Sequence, residues 1–533
     1  MINFFLVILL SPTYTVFAVK NLVKLDYTSY KGTALANGIS QWLGIRYAAP
    51  PLGNLRFAAP QDPVHNTTVQ QAEKHGLICL ATGGSPTSNT TSEDCLFLDV
   101  YAPTHATRNS KLPVFIFIQG GGFNVDSNPN LNGSGLIMAA DMDMVVVNFN
   151  YRVGPWGFLA SKEIQSGGST NNGLKDQIKA LKWVQKYIAQ FGGDPNHVVV
   201  GGDSAGAASV TLLLTAYGGR DDKLFVGTAA ESQSFATQWT VSESQWMYDN
   251  LIIRTECVLD DTLACLRKLS AEEIQKVNFN TPFPGSQDAP LYMYGPTIDG
   301  DLIQDYTYKL FAEGRFIKVP TIFGDDTNGG TVFTPKKTFN ISQSDTFLKD
   351  QFPAFTLPQL QEINALYPKT NNTFPNSGPY WRQVSNAYQE IRYMCPGLIC
   401  SSIYTNASMP SWNYRYNVED LTQVAEGLGV PHTVEVNAIW GPENIFGGGA
   451  PKSYSPGGVN AAIIPVIQGY WTSFVRTLDP NALRVEGSPF WETWNEDWRR
   501  LKFQTNATVM ENVGSDQRGR CEWLGSIGPE LRQ

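Results

Sequence analysis

Apolar residues follow two different patterns along the 533-residue chain. Short runs of β-forming residues, such as PVFIFI (113–118) and MVVVNF (144–149), predict buried strands. The segment 173–195 carries apolar residues at helical spacing and closes on a glycine pair, which predicts a long helix. Because strands alternate with helices, we expect an α/β fold with a mostly parallel sheet and helices on both faces.

Three segments with distinctive chemistry each follow a predicted strand. A glycine cluster stands at 120–122, a glycine-flanked serine follows the strand VVV (198–200), and VPTIFGDD (319–326) ends in two acids. Ligands of open parallel sheets bind beyond the carboxyl ends of the strands. We therefore expect these three segments to contribute to one site.

The first candidate catalytic residue is Ser204. Residues 202–206 read GDSAG, which fits G-x-S-x-G, and they stand between a predicted strand and a predicted helix. The flanking glycines allow a tight, strained turn from which the serine projects. The motif in this setting predicts a nucleophile, and the alternative is a structural serine in a strand-to-helix turn.

A serine nucleophile needs a base. Four of the five histidines precede Ser204, and only His432 follows it, in the segment GVPHTVEVNAIWG. The serine comes before the acid and the histidine in hydrolases with this turn, so His432 is the candidate base. Its place in a loop rich in glycine and proline suits a catalytic side chain.

Preorganised N–H donors for a developing oxyanion are the third requirement. Gly120, Gly121 and Gly122 directly follow a predicted strand, and the N–H of Ala205 follows the nucleophile. We interpret these groups as an oxyanion hole. The alternative for the glycine triplet is a flexible turn.

Longer motifs make the chain resemble the type-B carboxylesterase/lipase family, which includes cholinesterases and secreted fungal esterases. In order, these motifs are GIRYAAPPLGNLRF, SEDCLFLDVY, GGGF, NYRVGPWGFL, NNGLKDQIKALKWVQKYIAQFGGDP and GGDSAGA. The match extends from about Gly44 to Trp440. The resemblance implies an α/β-hydrolase fold with a large, mostly parallel central sheet. It also implies hydrolysis of small-molecule carboxylic esters without a cofactor or metal.

The resemblance assigns roles to individual residues as well. It makes Ser204 the nucleophile, His432 the base, and Gly121, Gly122 and Ala205 the oxyanion donors. Two disulfides and two buried ion pairs also follow from it, namely Cys79–Cys95, Cys257–Cys265, Arg56–Glu93 and Arg152–Asp176. Three of the seven cysteines then remain, Cys395, Cys400 and Cys521, and their pairing stays open.

The acid of the expected triad is missing. The family places a Glu or Asp directly before a glycine in the loop after VPTIF, and the matching pair here is Gly329-Gly330. Glu435 does not fill this position by resemblance, because the family usually has a carboxylate there in addition to its triad acid. The acid position is therefore vacant in the sequence.

Three interpretations of this vacancy remain open. Asp325 or Asp326 reaches His432 from earlier in the same loop, or a Ser–His dyad works at a reduced rate. In the third interpretation the chain no longer hydrolyses esters, and is instead a biosynthetic catalyst acting on small molecules or a binding protein.

The sequence also predicts export from the cell. Residues 1–18 combine an apolar run with a cleavage motif, Val16-Phe17-Ala18, that predicts cleavage after Ala18, as is typical of a signal peptide. No later segment is apolar enough to cross a membrane. Seven glycosylation sequons agree with secretion: Asn66, Asn89, Asn132, Asn340, Asn371, Asn406 and Asn506. Without a linker or repeat, residues 19–533 are predicted to form a single domain. The sequence does not indicate an oligomeric state.

Charge and loop composition restrict the partners. The net charge is −9 and no basic patch is present, so a nucleic-acid partner is not expected. The segment between Cys79 and Cys95 is short and polar, which makes it a poor interfacial lid and favours soluble esters over triglycerides. Trp239 and Trp440 are interpreted as core residues, with a role in lining the substrate pocket as the alternative.

Overall fold

The computed structural model describes residues 21–84, 87–445 and 449–533. The predicted signal peptide (1–18) lies outside the described residues. The described residues form eighteen strands. They are β1 (Leu22–Lys24), β2 (Ser29–Lys31), β3 (Thr33–Ala34), β4 (Ile39–Arg46), β5 (Val69–Gln71), β6 (Ile78–Cys79), β7 (Thr91–Ser92), β8 (Phe97–Pro103), β9 (Leu112–Ile118), β10 (Val145–Phe149), β11 (Gly193–Asp203), β12 (Gly227–Glu231), β13 (Trp239–Thr240), β14 (Thr297–Ile298), β15 (Thr321–Asp326), β16 (Ser411–Tyr416), β17 (Arg499–Phe503) and β18 (Val509–Asn512).

The α-helices of the described residues surround and connect these strands. They are α1 (Ser134–Ala139), α2 (Gly154–Phe158), α3 (Lys162–Gly167), α4 (Asn172–Tyr187), α5 (Ala205–Gly219), α6 (Val241–Arg254), α7 (Thr262–Lys268), α8 (Ala271–Val277), α9 (Thr307–Ala312), α10 (Ile341–Gln351), α11 (Leu357–Leu366), α12 (Trp381–Gln389), α13 (Cys395–Asn406), α14 (Leu421–Ala425), α15 (Val436–Trp440), α16 (Ile463–Thr477) and α17 (Ser515–Ile527). A π-helical turn, Glu390–Met394, joins α12 to α13.

Eleven strands form one central sheet in the order β18-β17-β16-β15-β12-β11-β9-β10-β8-β4-β3. The six pairings from β17 to β10 are parallel, whereas the pairings at both edges are antiparallel. The predicted α/β-hydrolase fold is confirmed, and the sheet is mixed at its edges. The predicted site segments stand at the carboxyl ends of the parallel strands β9, β11 and β15.

Strand β9 shows how the sheet divides the core. Val114, Ile116 and Ile118 enter one hydrophobic core, and the alternating Phe115 and Phe117 enter another. Successive side chains of a strand point to opposite faces, so a continuous apolar run requires cover on both sides. Helices α4 and α5 cover one face, and α1 and α16 cover the other. Burial on both faces makes β9 a rigid support for the glycine cluster that follows it.

The predicted long helix is shorter than its sequence segment. Helix α4 ends at Tyr187, and a 3₁₀ turn (Ile188–Phe191) follows before Gly192 takes a left-handed conformation with φ of 96°. Residues 193–195, which belong to the predicted helical segment, begin strand β11. The glycine pair therefore ends the helix and begins the strand that leads to Ser204.

Covalent and ionic links fasten the loops to this frame. The disulfides Cys79–Cys95 and Cys257–Cys265 are present, and a third bond joins Cys395 in α13 to Cys521 in α17. Cys400 is free and buried. Both ion pairs implied by the family resemblance are buried and bidentate, with distances of 2.6 and 2.7 Å for Arg56–Glu93 and of 2.8 and 2.7 Å for Arg152–Asp176.

Among the helices that the structure describes, no helix is both long and apolar enough to span a bilayer.

Candidate active site

Ser204 stands in a strained turn between β11 and α5. Its backbone has φ of 55° and ψ of −114°, a region that non-glycine residues rarely adopt. The positions of both flanking glycines lack room for a Cβ, so only glycine fits there. A Cβ on Gly206 would lie 1.9 Å from the carbonyl oxygen of Ile118, and one on Gly202 would lie 2.8 Å from the same oxygen. The turn thus presents Ser204 at the end of the sheet, as the G-x-S-x-G motif requires.

The glycine cluster lies directly against this turn. A Cβ on Gly120 would lie 2.9 Å from Cβ of Ser204, and the Gly120 N–H donates to Oδ1 of Asp203 at 2.8 Å. Asn128 Nδ2 donates to the other carboxylate oxygen of Asp203 at 2.7 Å. Burial raises the pKa of Asp203 to about 7. Asp203 therefore ties the end of β9 to the serine turn.

Three backbone donors are free beside Ser204. Within residues 21–84, 87–445 and 449–533, the N–H groups of Gly121, Gly122 and Ala205 have no acceptor. Gly121 and Gly122 have φ of 114° and 61°, which glycine tolerates best. Ala205 opens α5, where N–H groups lack helical partners. These donors are the kind of group that a tetrahedral oxyanion needs.

His432 lies in the turn before α15, among aromatic rings. Its ring centroid is 4.2 Å from that of Tyr393 and 5.3 Å from that of Phe333. Both ring nitrogens are buried, and neither has a hydrogen-bond partner in the part of the chain described. Ser204 and His432 are therefore not hydrogen-bonded in this structure. Burial, and secondarily the charge of Arg392, lowers the pKa of His432 to about 3.

The backbone after His432 is clamped by a buried polar network. The Thr433 N–H donates to Oδ2 of Asp326 at 2.7 Å and to Oγ of Ser232 at 3.1 Å. Thr433 has φ of 63°, an unfavourable conformation for a β-branched residue. The network therefore holds the His432 turn against local strain.

The same network contains two carboxyl groups that share one hydroxyl. Oγ of Ser232 lies 2.7 Å from Oδ2 of Asp326 and 2.6 Å from Oε1 of Glu435. Tyr414 also donates its hydroxyl to Oε1 of Glu435. One serine proton cannot satisfy both carboxylates, so one of these carboxyl groups must itself carry a proton. Burial and the nearby Glu435 charge raise the pKa of Asp326 well above its usual range, in agreement with this sharing.

Gly329 stands at the position predicted for the acid. A Cβ on Gly329 would lie 3.8 Å from Nδ1 of His432, and no atom outside the adjacent residues would lie closer. Its φ is outside the left-handed region, so a side chain would not be strained there. By contrast, a Cβ on Gly330 would lie 2.1 Å from the Ser385 carbonyl oxygen. An acidic side chain at 329 would therefore fit and would face the base.

Neither of the candidate substitute acids hydrogen-bonds to the ring of His432. Oδ2 of Asp326 accepts from Ser232 and Thr433, as described above. Asp325 points to the opposite face of β15, where its Oδ2 would lie 3.4 Å from a Cβ on Gly397. Burial raises the pKa of both carboxyl groups. The structure therefore leaves the ring of His432 without an acidic partner among the described residues.

Several parts of the site were not identified from the sequence. Tyr393, Phe333 and Arg392 surround His432, yet they lie on separate segments whose sequence pattern is that of ordinary buried residues. Ser232 follows β12 and also lacks a motif. Glu435 does carry a signal, because the family resemblance implies a carboxylate at this position near His432.

A cavity of about 530 Å³ borders the base side of the site. Phe333 lines this cavity and also contacts His432. Trp239 and Trp440 are both buried: Trp239 packs on Phe283, and Trp440 on Phe117. This placement agrees with the interpretation of both tryptophans as core residues.

The remaining predicted sites lie on the surface. Six of the seven sequon asparagines are exposed: Asn66, Asn89, Asn340, Asn371, Asn406 and Asn506. Asn132 is half-buried, and its Oδ1 accepts from the Ser134 N–H.

Among the described residues, the one cluster with metal-ligand composition is Glu390 with Cys395 and Cys521, whose sulfurs are joined in a disulfide. The expected lack of a metal or cofactor stays a prediction.

Comparison with known proteins gives consistent results along the whole chain. A family model described as the carboxylesterase family matches residues 20–520. Secreted lipase 4 of Gibberella zeae is 30% identical over 503 residues, which cover 90% of this chain and 88% of that protein. The para-nitrobenzyl esterase of Bacillus subtilis is 28% identical over 499 residues, with coverage of 92% and 96%.

A solved structure is similar over the same length. The crystal structure of Aspergillus niger EstA aligns with a TM-score of 0.94 and 42% sequence identity. The alignment covers 97% of this chain and 99% of that chain. The sheet, the serine turn and the base loop described above all lie within residues 20–520, which the family model matches.

Proposed function

Because the chain belongs to the carboxylesterase family, we propose that it is a secreted carboxylic ester hydrolase with Ser204 as nucleophile and His432 as general base. The observation that carries this proposal is the serine turn with its three free N–H donors. A strained serine and unused donors together are what acyl transfer needs, and simple structural turns do not require them.

The reaction follows from the positions of the groups. Ser204 Oγ attacks the ester carbonyl, and the N–H groups of Gly121, Gly122 and Ala205 stabilise the oxyanion. Gly329 faces Nδ1 of His432, so Nε2 is the nitrogen that takes the serine proton. His432 then returns the proton to the leaving alcohol, and water cleaves the acyl-enzyme by the same path.

The vacant acid position predicts a slow enzyme. Loss of the acid that orients the base costs on the order of 10⁴ in kcat in serine proteases, or about 5 kcal/mol. The ring of His432 is supported here by Tyr393 and Phe333, and its backbone by Asp326. These contacts fix position but supply no negative charge. Activated esters are therefore the substrates on which activity should be measurable.

The nature of the substrate follows from the loops. The first disulfide loop contains the exposed Asn89 and carries little apolar surface, which supports soluble esters over triglyceride droplets. Relatives named as secreted lipases, three disulfides and six exposed sequons support secretion. The signal peptide belongs to the same proposal.

A non-hydrolytic role is the second candidate. It is favoured by the missing hydrogen bond between Ser204 and His432 and by the unpartnered nitrogens of the base. Catalytic hydrogen bonds are often long before substrate binds, so this geometry does not exclude hydrolysis.

One experiment separates the two functions. Hydrolysis of p-nitrophenyl acetate and butyrate is measured for the purified protein and for Ser204→Ala in parallel. Turnover that falls by roughly 10² or more in the variant supports a serine esterase. Equal background rates in both proteins would reject hydrolysis and favour a non-hydrolytic role.

A further inference from the structure

Arg392 is a buried cation without an anionic partner. Arg392 is 7% exposed, and its Nε has no hydrogen-bond partner in the described part of the chain. The salt bridges of the described residues do not include it, whereas the buried Arg56 and Arg152 are each paired with a carboxylate. A buried charge is costly unless it is paired. An unpaired one therefore requires an explanation.

The contacts of the neighbouring Glu390 explain why Arg392 stays unpaired. It lies in the π-helical turn Glu390–Met394, and such turns occur frequently at functional sites. Glu390 is the nearest carboxylate in sequence, but it accepts from Arg520 at 2.7 and 2.8 Å, from Gln517 and from the Tyr367 hydroxyl. That carboxylate is thus fully engaged elsewhere.

Contacts place Arg392 between the two sides of the active site. Its Cζ lies 5.5 Å from the ring centroid of Tyr292 and 5.9 Å from that of Tyr393. Tyr292 packs so closely on Gly122 that a Cβ there would lie 2.2 Å from the tyrosine ring. Tyr393 in turn lies against His432, with the two rings tilted by 33°. The guanidinium is therefore one aromatic ring away from an oxyanion donor and one ring away from the base.

The aromatic contacts offset part of the cost of burying this charge. The guanidinium also hydrogen-bonds Tyr393, yet its Nε–H has no acceptor among the described residues. A guanidinium is suited to bind a carboxylate through two parallel hydrogen bonds. A carboxylate brought by the substrate would supply the missing counter-charge.

We propose that Arg392 binds a free carboxylate of the substrate. The site then prefers esters that retain one ionised carboxyl group, in either the acyl or the alcohol part, over neutral esters of the same size. This inference rests on the proposed esterase function and specifies its substrate class.

The first test compares anionic with neutral esters by pH-stat. Ethyl hydrogen succinate is paired with ethyl pentanoate, and 2-acetoxypropanoate with isopropyl acetate. The variants are Arg392→Met, Arg392→Lys and the control Arg382→Met, which removes another arginine that contacts aromatic rings, here Trp381 and Phe374. We expect the anionic-to-neutral ratio of kcat/KM to fall at least about tenfold in Arg392→Met, the effect of losing a hydrogen bond to a charged group.

The conservative variant and the control distinguish recognition from simple disruption. Arg392→Lys keeps the charge and is expected to retain part of the preference, while Arg382→Met keeps the ratio of the unchanged protein. The ratio is the measured quantity because Arg392 also influences His432. An unchanged ratio in Arg392→Met, or a ratio of one in the unchanged protein for both ester pairs, would overturn the proposal.

A binding measurement covers the case in which no ester is hydrolysed. Calorimetric titration with succinate is carried out on the unchanged protein, Arg392→Met and Arg382→Met. If hydrolysis is absent but succinate binds and only Arg392→Met loses it, the esterase function fails and the carboxylate site stands. If p-nitrophenyl acetate is hydrolysed but succinate neither binds nor inhibits, the carboxylate site fails and the esterase function stands.

Discussion

The proposed nucleophile and the proposed base are supported by two regions of different construction. The elbow half, Gly120–Gly122 with residues 202–206, is defined by backbone contacts in which an added Cβ on Gly206 would come within 1.9 Å of a carbonyl oxygen. The base half comprises Gly329, the turn 431–435 and the π-helical turn 390–394. There, side chains of Asp326 and Ser232 hold the chain.

This difference determines which positions of each half tolerate a substitution. In the elbow half, all five glycines lack room for a Cβ, so a substitution at any of them would distort the fold as well as the chemistry. In the base half, the backbone is held by Asp326, Ser232 and Glu435. A Cβ at Gly329 would meet no atom outside the adjacent residues closer than 3.8 Å, so this position is not restricted by packing. A glycine at the predicted acid position therefore leaves the contacts that hold the His432 turn in place.

The largest effect is expected from refilling the vacant position. Gly329→Glu places a carboxylate facing Nδ1 of His432, and we expect kcat on p-nitrophenyl acetate to rise by roughly 10³ to 10⁴. Gly329→Gln is the matched control, because it has the same shape without the charge. We expect it to change kcat by no more than a few fold.

An equal gain in both variants would mean that volume, and not charge, is limiting. A loss of activity in Gly329→Glu, with Gly329→Gln unaffected, would indicate that another acid already serves His432. That result would break the contrast drawn between the two halves.

Removal of the nucleophile is expected to have a smaller effect than in a complete triad. In subtilisin the loss of the serine costs about 2 × 10⁶ and the loss of the acid alone about 3 × 10⁴ in kcat. With the acid already absent, Ser204→Ala should lower kcat only by roughly 10². Initial rates with p-nitrophenyl butyrate measure this, and a fall above about 10⁵ would show that His432 is fully supported.

The pH dependence of kcat/KM tests the base half directly. The base must be neutral, so activity is lost as pH falls through its pKa. With the pKa of His432 lowered to about 3, kcat/KM should stay level from pH 8 down to about pH 4. A carboxylate at 329 raises that pKa, so Gly329→Glu should lose activity at a higher pH than the unchanged protein. An acid limb near pH 6 in the unchanged protein would contradict the structure.

The smallest effect concerns stability and the elbow half. Burial raises the pKa of Asp203 to about 7, above its unfolded value, so the folded chain binds more protons between about pH 4 and 7. The Asp203 contribution is therefore present at low pH and lost as pH rises through this window, by at most about 1.4 kcal/mol per pH unit. The free energy of unfolding of Asp203→Asn, measured with urea, should depend less steeply on pH than that of the unchanged protein. Identical slopes for the two proteins would contradict this.

The sequence predicted the elbow half well and the base half only in part. Local constraints, such as glycines around Ser204 and a run of strand residues before Gly120, are visible within a few positions. Arg392, Ser232 and Tyr393 reach the site through contacts between segments far apart in sequence, and no periodicity reveals such contacts. The pairing of Cys395 with Cys521 closes a separation of 126 residues and was equally invisible. The antiparallel edges of the sheet depend on which strands become neighbours.

Cys400 provides a chemical reporter of opening in this molecule. The other six cysteines are held in disulfides, and the Cys400 thiol is buried in α13, the helix that continues from the π-helical turn. Burial raises its pKa, so the folded thiol is inert toward alkylating reagents. Its labelling rate under native conditions consequently records how often α13 separates from the sheet. The protein thus carries its own probe of breathing motions in the helix that follows the π-helical turn, without any engineered label.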